Sequence, residues 1–110
     1  MKPQQVDRMF HALADPHRRR MVERLARGPA SVKELAAPIE IGLPSALKHL
    51  KVLEEGGIVL SAKTGRVRTY RMRPQALRSI GQWVKQREAA MNKAFDRLVQ
   101  AMQDFPEKDQ

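Results

Sequence analysis

Seven cationic side chains, Lys48, Lys51, Lys63, Arg66, Arg68, Arg71 and Arg73, fall between positions 44 and 73, against two carboxylates, Glu54 and Glu55. Lysine and arginine at this density neutralise phosphates, and either can also bond the edge of a guanine. Ser45 adds a hydroxyl close to the unpaired N–H groups of a helix start, a position suited to a phosphate or a base edge. Catalysis finds no comparable support. The sequence holds no nucleophile–base set, no paired acids and no phosphate-binding glycine loop; "TGRV" is only a hairpin tip. The whole chain repeats the local bias, with 21 Lys+Arg, 12 Asp+Glu and a net charge of +9 over 110 residues. That excess suits nucleic acid or an anionic membrane surface, and charge alone does not choose between them.

The elements that carry these side chains are legible from period and punctuation. Val6, Met9, Phe10 and Leu13 recur at helical spacing and predict a first helix. A second helix starts at the N-cap Asp15 with Pro16 in its first position, buries Met21, Val22 and Leu25, and ends at Gly28-Pro29. Ser31 with Glu34 three residues later forms a capping box for a third helix, which turns Val32 and Leu35 inward and closes at Pro38. A fourth helix over 43–55 follows a brief turn, with Gly42 as N-cap and Pro44 in the first turn. Its Ala46, Leu50 and Leu53 share an inward stripe, and Gly56-Gly57 stops it. The third and fourth helices make a helix-turn-helix, the fourth being the recognition helix.

The period then changes. Residues 58–73 are rich in β-branched types and break at Thr64-Gly65-Arg66, which predicts a hairpin. Period 2 places Arg66, Arg68 and Tyr70 on one face of the returning strand, opposite Val67 and Thr69. From 74 to 105 a long helix resumes on Leu77, Ile80, Val84, Met91, Phe95, Leu98, Met102 and Phe105. Arg87 interrupts this stripe, and Gly81 marks a short break in the helix. Residues 106–110 read as a frayed tail. The fold class is therefore mainly α with a small β-hairpin, a winged helix-turn-helix in a single domain of 110 residues. Residues 6–73 form its DNA-binding core and 58–73 its wing.

A basic helix face or a basic hairpin, taken alone, is ordinary solvated surface. Their succession is more specific, because the helix can fill a major groove while the hairpin reaches phosphates or the adjacent minor groove. Double-stranded DNA is the partner this order predicts. A non-specific architectural DNA- or RNA-binding protein is the alternative, using the same charge without sequence preference. Arg18, Arg19 and Arg20 read as a solvated helix flank, with a phosphate contact as the alternative. His49 reads as a half-buried packing residue with one ring nitrogen bonded, and Met21, Met91 and Met102 as core filler.

The stretch "HALADPHRRRMVERLARGPASVKELAAPIEIGLPSALKHLKVLEEGGIVLSAKTGRVRTYRM" resembles the winged-helix repressors of the ArsR/SmtB family. The likeness runs from about Val6 into the last helix. Its most specific pieces are "ALADPHRRRMVERL", "LPSALKHLKVLEEGGIV" and "GRVRTYRM". The resemblance implies a homodimer held by the first and last helices, with Phe10, Val84, Met91, Phe95, Leu98 and Met102 at the interface. It also implies an inverted-repeat operator and repression, often of the protein's own operon. By position, the DNA-reading residues fall on Pro44, Ser45, Leu47, Lys48 and Lys51, with the wing at Lys63, Arg66 and Arg68. Many members carry a small hydroxyl residue where this chain has Leu47. An exposed leucine there meets a thymine methyl; a buried one joins the core, and the sequence leaves both open.

The family's usual sensors are missing. There is no cysteine, so no thiolate metal site or redox pair can form, and the last helix has no histidine. No metal and no cofactor is expected. An apolar small-molecule effector at the dimer interface, or control by abundance alone, remains open. The absence of cysteine suits a reducing cytoplasm, and no signal-like or membrane-spanning apolar run occurs, so a soluble cytoplasmic protein without membrane contact is expected.

Overall fold

The computed structural model describes residues 2–104, so Phe105 and the tail 106–110 lie outside the described residues. The chain divides after Ser79 into two compact units. The first begins with α1 (Pro3–Leu13) and α2 (Pro16–Leu25). Asp15 caps α2 as its sequence position predicts, its Oδ1 accepting from the N–H of His17 at 2.8 Å and of Arg18 at 3.1 Å. The helix stops at Leu25, before Gly28-Pro29. Then follow β1 (Ala30–Ser31) and α3 (Val32–Ala36). Both halves of the capping box form: Glu34 N–H donates to Ser31 Oγ at 3.3 Å, and Ser31 N–H donates to Glu34 Oε1 at 2.9 Å. Pro38 does not close α3 directly; it sits inside a 3₁₀ turn, Ala37–Ile39, that follows.

The recognition helix α4 spans Leu43–Glu55, the limits its flanking glycines predict. Ala46, Leu50 and Leu53 are fully buried, joining Met9, Ala12, Met21, Val22, Leu25 and Leu35 in the core. The exit of α4 is closely packed. A Cβ on Gly56 would lie 2.8 Å from Ala12 Cβ and 3.0 Å from the Arg8 carbonyl oxygen, so only glycine lets α1 cross here without a shift.

The wing comprises β2 (Val59–Thr64) and β3 (Val67–Met72), joined by Gly65-Arg66. Gly65 has φ +64°, while Arg66 does not share a positive φ, the pattern of a type II′ turn. The sheet has a third strand the sequence does not reveal: β1 pairs antiparallel with β3, giving the order β1-β3-β2. A two-residue strand is too short to show alternation. Its presence also changes the expected basic face of β3. Tyr70 is flanked by Ala30 on one side and Ser61 on the other and is buried, whereas Arg68 is exposed. Arg66 belongs to the turn and not to the strand. One face of β3 is thus covered at its base and free at its tip.

The last helix, α5, runs unbroken over Ala76–Asp104, so the predicted break at Gly81 does not occur. One glycine costs about 1 kcal/mol against alanine, too little to split a helix otherwise rich in good formers. Arg87, which interrupts the apolar stripe, places its guanidinium 4.6 Å from the Trp83 ring centroid, a cation–π distance. Met21 is core as predicted, but Met91 and Met102 are 65% and 64% exposed. They are not core filler of this chain, because among the described residues this second unit consists of one helix, with no layer of its own to bury the stripe against. Among the described residues no helix is long and apolar enough to cross a membrane.

Candidate nucleic-acid interface

The cap of α4 is a glycine, so no side chain at the cap position accepts from its first-turn N–H groups. Pro44, Ser45, Leu47, Lys48 and Lys51 are all exposed, and together they form the outward side of the helix. Leu47 is 47% exposed, so it does not turn into the core. Lys51 Nζ lies 4.0 Å from Glu55 Oε1, and both side chains are mostly exposed. Such a pair contributes little and leaves the ammonium available. Leu43, one turn before Leu47, is also exposed, a feature that position alone did not single out.

What fixes the pitch of this helix is a clamp that the sequence reading missed. Arg18 donates from Nε to the Ala12 carbonyl at 2.7 Å and from a terminal nitrogen to the His11 carbonyl at 3.1 Å. Its other terminal nitrogen lies 3.1 Å from Nδ1 of His49 on α4. Arg19 adds a bond to the Leu13 carbonyl at 2.9 Å, and Arg20 reaches the Pro38 carbonyl at 3.4 Å. The three arginines are therefore not a merely solvated flank. The C-terminus of α1 leaves its last carbonyls without intrahelical partners, and the short link through Ala14 and Asp15 returns the first turns of α2 within reach of them. An arginine just inside a helix that follows so short a link is the signal that could have revealed this.

His49 is half-buried, as its place beside the apolar stripe predicts. Its Nδ1 lies 4.0 Å from Asp15 Oδ1, and its ring centroid lies 5.6 Å from that of His17. Because Arg18 can only donate, its bond to His49 uses Nδ1 as the acceptor when the imidazole is neutral. Burial pushes the Asp15 carboxyl upward. The N–H groups of Arg18 and His17, with the nearby His49 and Arg18 side chains, outweigh this and hold it below its usual value.

Lys63, Arg66 and Arg68 occupy the exposed end of the hairpin. Arg66 is at the tip, and Lys63 pairs directly across from Arg68. Like charges placed opposite one another destabilise a strand pair. Arg68 is steered by a 2.9 Å bond to Ser61 Oγ on the neighbouring strand. No group of three His, Cys, Asp or Glu side chains suited to a metal ion occurs among the described residues.

A helix-turn-helix whose second helix presents lysines, followed by a wing whose exposed end carries Lys63, Arg66 and Arg68, defines a winged helix-turn-helix DNA-binding protein. The family described as "Helix-turn-helix domain" matches residues 13–62. The HTH-type transcriptional regulator Rv2034 of Mycobacterium tuberculosis is 42% identical over 74 residues, covering 67% of this chain and 69% of that protein. A crystal structure of an ArsR family transcriptional regulator is 39% identical and superposes with a TM-score of 0.78, covering 84% of this chain and 95% of that one. The homodimeric winged helix-turn-helix DNA-binding domain of a possible ArsR-family regulator from Mycobacterium bovis shares the fold at 24% identity, with a TM-score of 0.62 over 86% of this chain and 84% of that one. The chain belongs to the ArsR family of DNA-binding transcriptional regulators.

Proposed function

We propose that the protein is a homodimeric repressor that binds an inverted-repeat operator, in some arrangements its own. Residues 6–73 hold the DNA, and residues 74–105 together with α1 hold the dimer. Pro44, Ser45, Leu47, Lys48 and Lys51 face the major groove, while Lys63, Arg66 and Arg68 of the wing take phosphates or the adjacent minor groove. The observation that carries the DNA-binding half is the direct succession of α4 and the cationic wing in one unit.

The dimer rests on a different observation. Val84, Met91, Phe95, Leu98 and Met102 of α5 and Phe10 of α1 are large apolar side chains exposed in the single chain. Stripes of this kind on a long helix are buried by a second copy in oligomers, and the Mycobacterium bovis neighbour is homodimeric. A two-fold dimer sets its recognition helices about 34 Å apart, one turn of DNA.

Two measurements test this. Light scattering after size exclusion should give twice the chain mass at micromolar concentration. Competition between the protein's own promoter and scrambled duplex, at one fixed salt concentration, should favour the promoter by at least a hundredfold. Equal affinity for any duplex or for RNA would instead make it an architectural protein that uses the same charge.

A further inference from the structure

Leu43 and Leu47 are 39% and 47% exposed on the helix that presents Ser45, Lys48 and Lys51. They stand four residues apart, so their Cβ atoms lie roughly 5–6 Å from each other on one side of α4. Leu47 borders Lys51 around the helix, and Ser45 falls on the opposite flank. Neither leucine can donate or accept a hydrogen bond. In a major groove almost every group on a base edge is a donor or an acceptor; the one sizeable apolar group is the C5 methyl of thymine, where cytosine offers only a C–H. Two leucines pressed against polar edges would strip water from groups they cannot satisfy, which costs affinity. Against methyls they lose nothing and gain burial.

We propose that Leu43 and Leu47 form a methyl-reading pair that selects two thymines close together in each half-site and accepts 5-methylcytosine in their place. The spacing fits. Bases rise about 3.4 Å along a strand, so contacts roughly 5–6 Å apart reach bases one or two steps from each other. 5-Methylcytosine carries its methyl at the same ring position, so the two side chains cannot separate it from thymine by that group. The inference rests on α4 lying in the major groove.

The experiment begins with selection of binding duplexes from a random pool, using the full chain. Each thymine of the selected site is then replaced by uracil, which removes the methyl and nothing else. At two positions per half-site affinity should fall roughly fourfold, the equivalent of the ~0.8 kcal/mol for burying one methylene-sized group. Cytosine at those positions should bind more weakly than 5-methylcytosine by a similar factor. Leu47→Ser should abolish the uracil effect at one position and Leu43→Gln at the other, while both variants still bind DNA. Both side chains are exposed, so the fold tolerates the changes, and circular dichroism checks it. A selected site without paired thymines, uracil tolerance throughout, or unchanged uracil sensitivity in Leu47→Ser each overturns the methyl-reading pair while leaving DNA binding intact. Failure to select any site at low salt overturns the repressor reading itself.

Discussion

Replacing Arg18 with alanine should unfold the order of the first three long helices more than any other single surface charge. Its guanidinium joins the end of α1 to the middle of α4 through three contacts of 2.7, 3.1 and 3.1 Å. Hydrogen bonds to a charged group contribute about 1.5–3 kcal/mol each where they are dry. Here the Ala12 and His49 contacts are part-buried and the His11 contact is exposed, so water takes over much of what is lost. A total of about 2 kcal/mol follows, or a fall of roughly 8–16 °C in Tm for a domain of this size. Arg18→Lys should recover less than half, because one ammonium cannot span three acceptors in different directions. The assay is thermal and urea denaturation at one fixed protein concentration, since a dimer's Tm depends on it. A double-mutant cycle with His49→Ala should show coupling of about 1 kcal/mol. In DNA binding, Arg18→Ala should weaken affinity without changing the salt slope if the side chain acts by positioning α4 through its bonds to Ala12, His11 and His49. A loss below about 0.5 kcal/mol with no coupling would refute the clamp, and a slope lowered by about one would show a phosphate contact instead.

Asp15→Ala should cost about 1 kcal/mol, the usual worth of an N-cap. The Asp15 carboxyl is held below the usual carboxylate value, so its stabilisation is fully present above the unfolded value and is lost as pH falls through the folded one; acid titrations of Tm should show this component in the native chain and not in the variant. Gly56→Ala should cost about 1–3 kcal/mol in urea melts, because the added methyl meets Ala12 and the Arg8 backbone with no room to retreat. Lys51→Ala and Arg66→Ala should each lower the salt slope of DNA binding by about one and leave sequence preference unchanged in a selection experiment. Phe95→Asp should convert the proposed dimer to monomer by light scattering while the helical circular dichroism signal of the first unit persists.

Local rules carried most of the fold. The Asp15 and Ser31 caps, Pro16 and the limits of α4 follow from chemistry within four residues, and the Ala46, Leu50 and Leu53 stripe follows from period alone. What period could not show was partnership across the chain. β1 exists only because Ala30 and Ser31 find Tyr70 and Thr69 some forty residues on, and that pairing is what buries Tyr70. The Arg18 clamp likewise depends on where α1 ends and how α4 packs. Gly81 was over-read, since a helix tolerates one weak residue when its neighbours continue the pattern. For the interface the cationic positions were legible as a set, while the exposure of Leu43 and Leu47 required the packed helix.

The facing Lys63 and Arg68 make the wing electrostatically frustrated when nothing is bound. Added salt screens that repulsion, so in the free protein the hairpin tip gains rigidity as ionic strength rises. The same salt competes for the phosphates that would otherwise relieve the strain. If the wing contacts phosphates as proposed, ionic strength acts with opposite sign on the wing alone and on its complex: conditions that quieten the tip are those in which it grips least.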